Sequence, residues 1–67
     1  PTPKDVRPEL LAMLATARSA SRMPWDPQRA RVNEILFPQM ANWLPEAERD
    51  ELRDAFAQEM SRLRAAG

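Results

Sequence analysis

Five carboxylates fall between positions 46 and 54 of this chain: Glu46, Glu48, Asp50, Glu51 and Asp54. On a helix, Glu48 with Glu51 and Asp50 with Asp54 stand three and four residues apart, and so share faces. Paired carboxylate oxygens suit hard cations such as Mg²⁺ or Ca²⁺. The positive end of a helix dipole draws acids to an ordinary solvated helix start in the same way. That reading takes precedence, and no metal is expected. The chain has no His, Cys or Tyr and a single lysine, Lys4, so most of the usual general acids and bases are missing. A Cys- or His-ligated metal is excluded with them. The hydroxyls of Thr2, Thr16, Ser19, Ser21 and Ser61 have no partner base to activate them. Gly67 is the only glycine, so there is no loop to cradle a phosphate. No enzyme activity, cofactor or small-molecule substrate is expected.

Ten basic residues cancel ten acidic ones, but they are unevenly placed. Arg18, Arg22, Arg29 and Arg31 against Asp26 give residues 18–31 a net charge of +3. Residues 34–54 carry six acids against Arg49 and Arg53, a net of −4. The bland reading is exposed charge on amphipathic helices. A second is complementarity between helices, between protomers or with an acidic partner. A third assigns Arg18, Arg22, Arg29 and Arg31 to a phosphate backbone, the basis of a dimeric nucleic-acid-associated regulator. Overall neutrality and the acidic block weigh against that third reading. No apolar run approaches the ~18 residues of a membrane span, so no membrane partner is expected. Pro1-Thr2-Pro3-Lys4-Asp5 lacks the regions of a signal peptide, which predicts a cytoplasmic protein. Nine of the ten basic residues are Arg, a usage associated with GC-rich bacterial genomes.

The elements that position these residues are punctuated by seven prolines. Proline suits the first position of a helix, where its missing N–H would have no partner anyway. Asp5 reads as the cap of a first helix over about 6–20, whose stripe is Val6, Leu10, Leu14 and Ala17 with Met13 beside it. Asp26-Pro27 opens a second helix over about 27–43. Its stripe is read as Val32, Leu36, Met40 and Trp43 with Ile35 alongside. At Pro38 the helix either kinks or breaks near Leu36 and restarts, and because the stripe stays in phase a kinked or nearly continuous helix is preferred. Pro45 opens a third helix over about 45–65, with Leu52, Phe56, Met60 and Leu63 as its stripe and Ala55 at its side. All three stripes step by four, four and three residues, as matched seams over one core would.

Hydrophobes remain off the stripes: Leu11, Met23, Trp25, Phe37 and Leu44. Phe37, Met40 and Leu44 form a second apolar edge on the second helix, and a helix apolar on two sides is either central or faces a partner. Trp25, Phe37, Met40 and Leu44 are therefore the candidate partner-binding residues. Trp25 also fits a hydrophobic staple before the Asp26 cap. A helix-turn-helix across Leu44-Pro45 is rejected, because its reading helix would open with Glu46, Glu48, Asp50 and Glu51 against phosphates.

Sixty-seven residues without cysteine make one small domain, whose core supplies roughly 3–5 kcal/mol at most. The expectation is a single all-α, antiparallel three-helix bundle, completed by dimerisation. Its expected role is that of an accessory, adaptor or regulatory subunit working through protein–protein contact, with a protein partner or a homodimer.

Overall fold

The computed structural model describes the backbone of residues 3–66 and the side chains of residues 6–66. The described residues form α1 (Pro3–Ser19), α2 (Pro27–Ala41) and α3 (Glu46–Ala66), with no strand among them. Each helix packs on both others, in the three-helix bundle expected. The molecule is elongated, 34 × 20 × 17 Å. Chain reversal at each connection makes α1 and α3 parallel and α2 antiparallel to both. Arg7 accordingly meets Glu48 near the starts of α1 and α3, while Arg62 meets Ala17 near their ends.

The start of α2 follows from two residues. The Asp26 carboxylate accepts the Arg29 amide at 2.9 Å, its carbonyl takes the Ala30 amide at 2.8 Å, and Pro27 fills the first position. Beyond it, α2 runs unbroken past Pro38 to Ala41. Its last turn then tightens, and the amides of Asn42, Trp43 and Leu44 each donate to the carbonyl three residues back. That tightening ends the helix two residues earlier than expected. Before α3, the Pro45 carbonyl accepts the Arg49 amide at 2.8 Å.

At the other end, α1 begins at Pro3 rather than near Val6. Asp5 is thus inside the helix instead of ahead of it, and its side chain lies outside the described residues. Pro8 falls within α1 as well. Its missing N–H costs the helix one hydrogen bond, to the carbonyl of Lys4.

The core joins the α1 stripe of Val6, Leu10, Leu14 and Ala17 to Phe56, Met60 and Leu63 of α3, with Leu52 and Ala55 partly buried against it. Both stripes lie where their periodicity places them. Helix α2 is turned the other way. Ala30, Asn33, Phe37 and Ala41 are buried, as is Leu44 just beyond the helix, whereas Val32, Ile35, Leu36 and Trp43 are exposed. The edge of Phe37 and Leu44, expected to be open to a partner, is therefore core: Phe37 is 0% exposed. Met40 and Trp25, the other two candidates, are partly buried against the same core. Packing accounts for the reversal. Phe37 finds a flat aromatic surface in Phe56, with centroids 4.2 Å apart. Ala30 and Ala41 lack the bulk that would hold the helices apart, so α2 seats closely on that side.

Candidate functional site

The inversion of α2 creates the most distinctive surface of the molecule. Val32, Ile35, Leu36 and Trp43 recur at helical spacing along its outward side, with Ile35 64% and Trp43 48% exposed. Gln28 and Gln39 share the same side and are exposed and uncharged. Scattered exposed hydrophobes are ordinary. Three on one helix face and Trp43 in the turn just beyond it, with the opposite face of that helix already in the core, form a patch of the kind that marks contact sites. Sequence periodicity had found these four residues but assigned them to the interior.

The arginines divide into two groups. Arg7, Arg49, Arg53, Arg62 and Arg64 are engaged in the fold. Arg7 reaches Glu48 through Nε at 2.6 Å and Nη2 at 2.7 Å, strapping α1 to α3. Arg62 Nη2 donates to the Ala17 carbonyl at 2.8 Å, satisfying the C-terminal end of α1 from α3. Arg53 Nη2 donates to the Pro38 carbonyl at 2.8 Å and also to Asn42 Oδ1, holding the tightened end of α2. Arg64 pairs with Glu34 at 2.6 Å, joining α3 to α2.

Arg18, Arg22, Arg29 and Arg31 form the second group. All four are exposed, and their side chains have no hydrogen-bond or ion-pair partner among the described residues. They belong to the end of α1, the following loop and the start of α2, which topology gathers at one pole of the long axis. The opposite pole carries Glu46, Glu48, Asp50, Glu51 and Asp54 at the start of α3, where they suit the helix dipole. The sequence had separated these charges along the chain, and the fold separates them in space.

The carboxylates do not assemble into a metal centre. Among the described residues, no group of three carboxylates converges where a cation could sit. Glu48 is committed to Arg7, whose hydrogen bonds hold its carboxyl below the usual carboxylate range. Asp50 receives Arg49 Nε at 2.9 Å. The hydroxyls of Thr16 and Ser19 donate to the carbonyls of Ala12 and Ala15, so their protons are engaged by their own helix.

Two concavities border α2. A groove of 380 Å³ runs between α2 and α3, bordered by Pro38, Arg53, Ala57, Ser61 and the Glu34–Arg64 pair. A shallower notch of 170 Å³ lies at the start of α2, formed by Asp26, Gln28, Arg29 and Val32. Ser61 and Glu34 both line the groove, where Glu34 is held by Arg64 at 2.6 Å. Among the described residues no helix is long and apolar enough to cross a membrane. No protein-family model matches the chain, and no curated protein or solved structure matches it either.

Proposed function

We propose that this chain is a helical protein–protein interaction module, an accessory or regulatory subunit that works by presenting the outward face of α2. One observation carries the reading: Val32, Ile35, Leu36 and Trp43 remain exposed together after the opposite face of the same helix has been used for the core. Covering such side chains is favourable by roughly 25 cal/mol per Å² of apolar surface removed from water. Tryptophan at the edge of the patch is the residue type most enriched among energetic anchors of interfaces.

The test is site-specific photocrosslinking in the cells that make the protein. A crosslinking side chain at position 35 should give discrete protein adducts. The same group at position 58, where Gln58 is exposed on α3, should give few. Equal labelling at the two positions, or none at either, would defeat the reading.

The four unpartnered arginines support a second reading, contact with a phosphate backbone through the basic pole. A salt titration against generic duplex DNA separates the two, since phosphate contacts weaken steeply as salt rises. Binding that is absent at low salt removes this second reading and leaves the first untouched.

A further inference from the structure

The outward face of α2 is matched by its own reverse. Leu36 stands at its middle, with Arg29 seven residues before it and Trp43 seven residues after. Arg29, two turns back along the helix, stays close to the azimuth of Leu36 and about 10 Å from it along the axis. Trp43 lies just beyond Ala41, in the tightened turn that prolongs the helix. Charge follows the same reversal. The start of α2 carries the unpartnered Arg29 and Arg31, its end leads into the acidic start of α3, and the face between is uncharged.

The notch supplies an independent observation. It is formed by Arg29, Gln28, Val32 and Asp26, at the position that reversal about Leu36 brings over Trp43. The notch has room for part of an indole ring, and Trp43 is 48% exposed.

Resting on the reading of this face as an interaction surface, we propose that its occupant is a second copy of the chain. Two α2 helices pack antiparallel across a twofold axis at Leu36, and Trp43 of each protomer enters the Arg29 notch of the other. Such a contact is isologous and closes after two copies. The guanidinium lies over the indole face, an attraction that strengthens as water is excluded. Antiparallel pairing also sets the basic pole of one protomer beside the acidic pole of the other. Parallel pairing would set arginines against arginines. One helix face is small beside the roughly 800 Å² per partner of a standard interface, which suits a reversible dimer whose population depends on concentration.

The chain has no cysteine, so single cysteines report the geometry directly. Sedimentation of the parent should show mass rising with concentration from the 7.7 kDa monomer toward twice that value. Under mild oxidation, Leu36→Cys alone should link to itself. Arg29→Cys and Trp43→Cys should link efficiently only when mixed. Ile35→Glu, at the most exposed apolar position of the face, should keep its helicity by circular dichroism yet remain monomeric. Trp43→Ala should weaken association at least tenfold. A parent that stays monomeric at high concentration overturns the inference, as does self-linking of Arg29→Cys in preference to the mixture. Either result, with adducts to a different protein still forming from position 35, leaves the interaction reading standing and removes only the second copy as occupant.

Discussion

Phe37 of α2 and Phe56 of α3 lie face to face, their ring centroids 4.2 Å apart and their planes 1° from parallel. Trp25, from the loop ahead of α2, meets the same Phe56 ring at 6.2 Å with a tilt of 48°. Phe56 therefore joins the loop, α2 and α3 through one side chain. Aromatic pairs contribute about 0.5–1.5 kcal/mol beyond the area they bury.

Truncating that hub should unfold the domain. Phe56→Ala should cost about 3–5 kcal/mol, comparable to everything a core of this size supplies. Far-ultraviolet circular dichroism at 25 °C should show a largely disordered population. A melt that overlays the parent would mean that the aromatic cluster does not hold α3 in place.

The two faces of α2 should respond oppositely to the same charge. Phe37→Asp buries an unpaired carboxylate against Phe56 and should abolish helicity, because burying an isolated charge costs far more than this fold has in reserve. Ile35→Asp places the same carboxylate in water and should leave helicity near that of the parent. Equal loss in both variants would show that α2 is not oriented as described.

Asp26 caps α2 through the Arg29 amide at 2.9 Å. Asp26→Ala should lower stability by about 1 kcal/mol, with Pro27 retaining part of the start signal. Thermal melts read this directly, and Asp26→Asn should recover most of the loss because its side-chain oxygen can still accept. No recovery by Asn would place the effect in the charge rather than in the cap.

The Arg7–Glu48 strap should make the fold sensitive to acid. Hydrogen bonds from Arg7 hold the Glu48 carboxyl below its usual range. A carboxyl lowered on folding stabilises the protein above its unfolded pKa, and that contribution disappears as pH falls through the folded value. Denaturant midpoints should therefore fall on acidification below about pH 4.3, the ordinary value for glutamate. Glu48→Gln should show a shallower fall, together with a lower midpoint at neutral pH. Both groups are partly exposed, so added salt should reduce the difference between the variants. Parallel pH profiles for parent and variant would assign the acid sensitivity to other carboxylates.

Helices α1 and α3 were legible in the sequence because their faces differ. Leu10 and Leu14 on one side of α1 oppose Arg7, Glu9 and Arg18 elsewhere on it. Phe56 and Leu63 likewise oppose a charged remainder of α3, so burying either stripe leaves the polar side in water. The Asp26-Pro27 start was legible for a local reason, since a cap and a fixed φ act within one turn. The four free arginines could be named as a group, but their isolation could not. Some arginine partners are local, as Asp50 is for Arg49, but Arg64 with Glu34 and Arg62 with Ala17 meet across 30 and 45 positions that only the fold brings together.

The orientation of α2 was settled only by tertiary packing. Its two sides are both apolar: Val32, Ile35, Leu36 and Trp43 on one, Ala30, Phe37 and Ala41 on the other. Periodicity favoured the side with more bulk and left Phe37 and Leu44 as a second apolar edge. Burial followed fit instead. Phe37 had a flat partner in Phe56, and the alanines let the helix approach closely, whereas a Trp43-bearing face would have had to displace that stack. Hydrophobicity favours burying either face and does not choose between them. The choice needs a second surface, and that surface lies on another part of the chain.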